Sequence, residues 1–253
     1  MVDSARGGRT LSHAGVRVCA AVMGLRERNK SQRRRRILKA AARLIRQRGF
    51  EALSMRELAR KARLTVPTLY NLIGDKDEIL YEIMSYRLDQ LNEALDTVAS
   101  TDPIERIYTL FNLAIDIITE EPEVNRPVVK AILNRVDPLR APPVIRRFMK
   151  MFVDVFAEGM RLGYFHDGGK EELMGRQVYL NYIQALRMWG WGILDDLQFR
   201  MQTQCGATLV MLALADERAQ PRLRQRLEDY AGRLTDFLAT FPARPSLGDA
   251  SAA

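Results

Sequence analysis

The sequence predicts an all-α chain, and three observations carry that expectation. Apolar residues recur at i, i+3, i+4 and i+7 over most of the 253 residues, and no alternating strand pattern persists. Glycine and proline are sparse, 16 and 10, and Gly49, Gly74 and Gly163 stand where helical stretches stop. Helix-start signals recur as well: Ser54 with Glu57, Asp75 with Glu78, and Asp102-Pro103 with Glu105. The length suits one large domain or two modest ones.

In chain order, residues 1–30 come first and are ambiguous. Arg6 and Arg9 precede an apolar patch from Val18 to Leu25, in the manner of a signal peptide. However, Arg17 interrupts the approach and no small-x-small cleavage site follows. Three readings stay open: a disordered arm, an upstream-extended frame with Met23 as the true start, or a basic arm reaching a DNA groove.

Residues 33–48 predict a basic helix with the stripe Ile37, Ala41, Leu44 and Ile45, stopped by Gly49. Residues 54–73 predict two short helices joined by a tight turn. Ser54 and Glu57 form a capping box ahead of Met55, Leu58 and Ala62. Thr65 offers a second N-cap, and Pro67 is tolerated because first-turn amides lack internal partners. Leu69, Leu72 and Ile73 make the apolar face, leaving Thr68, Tyr70 and Asn71 turned away from it. Such a pair needs the 33–48 helix behind it. The resulting helix-turn-helix unit offers its last helix to a DNA major groove.

After Gly74, a helix is expected over 76–99 with the stripe Ile79 to Val98, leading from the first unit into the body. A helix over 103–119 follows. The run Glu121 to Pro127 is expected to break it, with a short helix near 128–136 and a turn from Asp137 to Pro143. Helices over 144–162, 170–197 and 200–217 come next, Gly168-Gly169 marking one turn and Gly190 and Gly192 lying inside the second of them. A last helix spans 221–241, and residues 242–253 read as disordered. The chain thus divides into an extension (1–30), a DNA-binding domain (31–78), an effector-binding and dimerisation domain (79–241) and a tail.

The net charge of +8 is unevenly spread. Arg26 to Lys76 holds 16 Lys and Arg against 4 acidic residues, while the remainder beyond Lys76 is mildly acidic. That is an electrostatic footprint for a polyanion. Two cysteines, Cys19 and Cys205, and two histidines, His13 and His166, show no metal-ligand spacing. No disulfide framework is supported, and a reducing, cytoplasmic setting is expected. No apolar run is long enough to span a bilayer. His166-Asp167 reads as a surface pair, Asp195-Asp196 as a helix end and Cys205 as a small core residue. No catalytic constellation, cofactor motif or metal site emerges.

Residues 31–80 resemble the DNA-binding domain of the tetracycline-repressor (TetR) family of bacterial regulators. The resemblance rests on the basic first helix, Gly49-Phe50, the capped stretch Ser54 to Ala62, Thr68-Leu69-Tyr70, and Lys76-Asp77-Glu78. Arg63 and Pro67 stand where the family often has Gly, and Leu72-Ile73 replaces a common aromatic pair. The resemblance implies a homodimeric, cytoplasmic transcriptional regulator, a repressor, bound to a palindromic operator and released by a small apolar ligand. It also implies that the helices over 170–197 and 200–217 dimerise. A rival reading is an effector-independent architectural or division-associated DNA binder of the same fold.

Side-chain chemistry assigns the DNA contacts. The Ser54 and Thr68 hydroxyls, the Tyr70 phenol and the Lys76 ammonium suit phosphate oxygens, and the resemblance supports Tyr70 and Lys76 most strongly. Thr65, Val66, Pro67 and Asn71 are placed for the groove, while Arg56 and Arg63 suit either role. For the effector, the expected lining is Tyr108, Phe111, Phe152, Tyr182 and Trp189, with Asn181 or Gln184 supplying polar contacts.

Overall fold

The structure is a computed structural model that describes residues 13–98, 100–135, 143–166 and 170–240, with side chains from 29 to 235. Every regular element among these residues is a helix. The chain divides into two compact units between Ile79 and Leu80.

The first unit holds α1 (His13–Arg48), α2 (Met55–Lys61), α3 (Val66–Ile73) and the start of α4 (Lys76–Asp96). α1 begins 20 residues ahead of the predicted 33–48 stretch. The added part holds three Ala and three Arg and no proline, and its two glycines weaken a helix without ending it. Ile37, Ala41, Leu44 and Ile45 of α1 are buried with Leu58 and Ala59 of α2, its C-cap Ala62, and Leu69 and Ile73 of α3. Phe50 and Leu53, between α1 and α2, are buried too.

The second unit contains the rest of α4, α5 (Pro103–Thr119), α6 (Pro122–Arg135), α7 (Pro143–Arg161), α8 (Glu171–Gly190), α9 (Asp196–Leu212) and α10 (Gln220–Thr240). α8 packs on α6, α7 and α9, and α5 packs on α6, α7 and α9. α10 lies along α9, and its Arg226 binds Glu105 of α5 at 2.7 Å while covering the Tyr108 ring at 4.2 Å. The α7–α8 and α9–α10 connections meet in an antiparallel bridge, Phe165 to Ala215.

Several helix boundaries differ from the sequence prediction. The expected break over Glu121 to Pro127 shrinks to the junction before Pro122, and α6 carries Pro127 inside it. Buried Asn125 stabilises that junction by donating to the Ile118 carbonyl at 2.7 Å, which closes an orphan acceptor at the end of α5. The predicted 170–197 helix ends at Gly190. Gly192 takes a left-handed φ of +77°, Gly192 N–H bonds Trp189 O and Ile193 N–H bonds Met188 O, both at 2.9 Å. That pairing is a Schellman stop. Asp195-Asp196 therefore opens a helix and does not end one. Asp195 and Gln198 make the reciprocal capping box that starts α9 at Asp196, ahead of the predicted 200. The expected turns at 137–142 and 168–169 and the tail over 242–253 lie outside the described residues.

Candidate nucleic-acid interface

The helix-turn-helix is set by its turn chemistry. Arg60 O and Ala59 O accept from Arg63 N–H and Leu64 N–H at 3.2 and 2.9 Å, so α2 also ends in a Schellman pairing. Its left-handed residue is Arg63, at φ +54°, a conformation that penalises a side chain bearing Cβ. This is the position where the sequence carries Arg in place of the family's Gly. Thr65 then caps α3: its side chain accepts from Thr68 N–H at 3.3 Å, and the two hydroxyls lie 2.7 Å apart. Gly74 closes α3 at φ +103°, and the Asp75 carboxylate receives the Asp77 and Glu78 amides at 2.9 and 3.0 Å to begin α4.

The predicted capping box at α2 is absent. Ser54 holds the N-cap position but makes no side-chain cap bond. Glu57 is drawn instead to Arg48 at 3.2 Å and Arg60 at 3.7 Å, because a carboxylate flanked by two guanidiniums gains more from them than from one backbone amide.

These connections leave α3 with two faces. Leu69 and Ile73 are buried. Pro67, Tyr70 and Asn71, spaced i, i+3 and i+4, are exposed, Tyr70 to 47%. Ser54, Arg56, Arg63 and Thr65 are exposed, and Val66, Thr68 and Lys76 are half-buried. Lys76 Nζ donates to the Glu51 carbonyl at 2.7 Å and sits 4.8 Å above the Phe50 ring. Sequence reasoning missed one supporting residue. Arg34 Nε donates to the Leu72 carbonyl at 3.1 Å, bracing the C-terminal end of α3 with a positive charge. The signal was present: Arg34 is a charged residue three places before Ile37, on the face that runs on as the apolar stripe Ile37, Ala41, Leu44 and Ile45.

In the second unit, the five aromatic residues expected to line a pocket are buried together. Phe111 stacks on Phe152 with ring centroids 4.7 Å apart and on Tyr182 at 5.8 Å. Phe199 joins Tyr182 to Trp189 at 5.7 and 5.8 Å. Trp189 Nε1 donates to Asp196 at 2.7 Å. Thr208 donates to the Gln204 carbonyl at 2.7 Å, so at 2.6 Å its oxygen accepts the Tyr108 phenol. Burial pushes the Tyr108 phenol up to about 12 and raises Tyr182 as well. The two polar residues do not join this cluster. Gln184 is exposed on the far side of α8, and Asn181 packs against Gly206 of α9, where an added Cβ would meet its Oδ1 at 2.8 Å. Nor do the glycines leave space near Trp189, since Val129 of α6 fills the approach to Gly190. A cleft of about 270 Å³ opens elsewhere, between Asn92 and Leu95 of α4, Arg106 and Leu110 of α5, and Met151 and Val155 of α7.

Among the described residues, no group of His, Cys, Asp and Glu is arranged to hold a metal ion, and no helix is long and apolar enough to cross a membrane. Cys205 is a free, half-buried thiol.

Residues 37–83 match the family model described as bacterial regulatory proteins, tetR family. The chain is 29% identical over 157 residues to the HTH-type transcriptional repressor KstR2 of Mycobacterium tuberculosis (strain ATCC 25618 / H37Rv), covering 58% of this chain and 76% of that protein. It is 25% identical over 119 residues to the repressor KstR of Rhodococcus jostii (strain RHA1), covering 46% of this chain and 56% of that one. Among solved structures it resembles Thermus thermophilus FadR, a TetR-family repressor in complex with lauroyl-CoA. The TM-score there is 0.60 at 22% identity, over 73% of this chain and 96% of the other.

Proposed function

The chain belongs to the TetR family of DNA-binding transcriptional regulators and is not an enzyme, and on that premise we propose that it is a homodimeric repressor of a palindromic operator, released by a small apolar ligand. The observation that carries the reading is the exposed face of α3. Pro67, Tyr70 and Asn71 stand outward on a helix fixed from behind by Leu69 and Ile73. Asn71 offers the amide that pairs with an adenine edge, and Pro67 and Val66 offer apolar contact to a thymine methyl. Tyr70, Thr68, Ser54 and Lys76 bind phosphates, and Thr65, Arg56 and Arg63 line the same surface.

Dimerisation uses α8 and α9. Leu173 and Leu180, seven residues apart on α8, and Leu197 and Leu209 on α9 are 46 to 61% exposed in the single chain, a set of apolar side chains suited to a partner surface. Gly206 of α9 serves the crossing with α8 within one chain, against Asn181.

The ligand enters by the cleft between α4, α5 and α7. Leu110 and Met151 line it, and each is followed in the chain by a ring of the aromatic cluster, Phe111 and Phe152. The acyl chain of the lauroyl-CoA held by FadR is an apolar group of the kind this reading requires. Asn92 and Leu95 of the cleft lie on α4, whose first residue is Lys76, so ligand and phosphate would both act on one helix. The ligand shifts DNA binding only by its difference in affinity between the DNA-bound and DNA-free states.

The close stacking of the aromatic core favours a second reading, a DNA binder without an effector. Titrating candidate apolar ligands against the tryptophan fluorescence of the protein, with and without bound duplex, separates the two. Weaker ligand binding in the presence of DNA supports the ligand-released repressor, by reciprocity of the coupling. Equal affinities support the effector-free reading.

A further inference from the structure

The basic helix α1 changes character along one face. From Ile37 to Ile45 the face turned toward α2 and α3 is apolar and buried: Ile37, Ala41, Leu44 and Ile45. Arg34, Arg33 and Lys30 lie three, four and seven residues before Ile37, so they continue the same face. Arg34 reaches the Leu72 carbonyl at the end of α3. Arg33, beside Arg34, and Lys30, one turn further out, are exposed. The apolar stripe thus becomes a cationic one where α1 passes the C-terminal end of α3. Residues 26–50 contain one acidic residue, Glu27, so the stripe has little negative charge of its own to neutralise it.

A cationic stripe on the inward face of a helix, at the point where its protein neighbour ends, suits a polyanion alongside that neighbour. Since α3 carries the exposed face that reads DNA, the polyanion at its end is the same duplex. We infer that Lys30 and Arg33 form a phosphate clamp on operator DNA outside the helix-turn-helix, adding contacts that position the protein without reading sequence. The inference rests on α3 being the recognition helix, and it lengthens the footprint beyond that helix.

The opposite face of α1 supplies the control. Lys39 and Arg43 are also basic but point away from α2 and α3. The experiment measures affinity of the full chain for a labelled mixed-sequence duplex of about three helical turns, across a salt series, with helical circular dichroism to check folding. The Lys30→Ala/Arg33→Ala variant should reduce the slope of log K against log salt by about two units, near 0.9 for each phosphate left without its cation. Lys39→Ala/Arg43→Ala should keep the wild-type slope, and Lys30→Arg/Arg33→Lys should restore it. A wild-type slope in the Lys30→Ala/Arg33→Ala variant, or an equal reduction in the Lys39→Ala/Arg43→Ala control, overturns the clamp while leaving α3 as the reader. Absence of duplex binding by the wild-type chain removes both.

Discussion

The ammonium of Lys76 is tied to the carbonyl of Glu51, 2.7 Å away, and rests on the Phe50 ring. The turn after α1 therefore holds the first side chain of α4 in one place. An ammonium has three donors, so two remain for a phosphate after the Glu51 bond.

A pre-positioned cation of this kind contributes to affinity without reading sequence. Lys76→Ala should weaken binding to every duplex by a similar factor and lower the salt slope by about one unit. An unchanged slope in a fluorescence-anisotropy salt series would remove Lys76 from the phosphate contacts.

Arg63 occupies a left-handed position that glycine adopts without strain. Arg63→Gly should stabilise the first unit by about 1 kcal/mol, the relief of left-handed strain partly offset by a freer unfolded chain. Chemical denaturation checks this through the midpoint. Any loss of DNA affinity in the same variant then reports the Arg63 charge and not its fold.

Gly175 of α8 meets Val153 of α7 with no room for a methyl group. An added Cβ would lie 2.6 Å from Val153 Cγ2 and 2.8 Å from its backbone nitrogen. Backbone cannot swing aside as a side-chain tip can, so Gly175→Ala should cost about 1–3 kcal/mol. Gly163→Ala offers a contrast: no neighbour lies within 4 Å, and only its φ of +73° resists the change. A Gly175→Ala variant with wild-type thermal stability would contradict the close α7–α8 packing.

Leu209 is 53% exposed in the single chain, so Leu209→Arg should fold normally. In a two-fold α8–α9 interface the same change buries an unpaired charge. Sedimentation should then give a monomer with native circular dichroism and much weaker operator binding. A variant that remains fully dimeric would move the interface to another surface, with α10 the first candidate.

The elements most legible in the sequence are those fixed by local chemistry. Thr65 caps α3, Gly74 ends it, and Asp102 receives the Ile104 and Glu105 amides to start α5; each depends on a few neighbouring residues. Ser54 misleads because Glu57 has better partners, Arg48 across the turn and Arg60 on the next turn of α2. Pro127 misleads because a helix already started at Pro122 tolerates one missing amide when its flanks, Val124, Val128 and Val129, are buried. Gly190 and Gly192 resemble interior glycines in sequence, and only the hydrogen bonds of the Schellman stop separate them. At the candidate sites, the outward face of α3 follows from its apolar period. The aromatic residues group correctly by helix, but periodicity does not distinguish a ring that lines a cavity from one that fills it. Gln184 misleads because its neighbours on α8 in sequence lie on the opposite face.

Selection of bound duplexes from a random-sequence pool tests the central claim most directly. The chain should enrich a palindrome whose half-sites are centred about one helical turn apart, ~34 Å, as two copies of α3 require. Repeating the selection with Asn71→Ala should relax one base position in each half-site, by roughly 1–3 kcal/mol if Asn71 makes a bidentate adenine contact. Enrichment of no sequence, or a consensus that Asn71→Ala leaves unaltered at every position, would contradict the assignment of α3 as the helix that reads the operator.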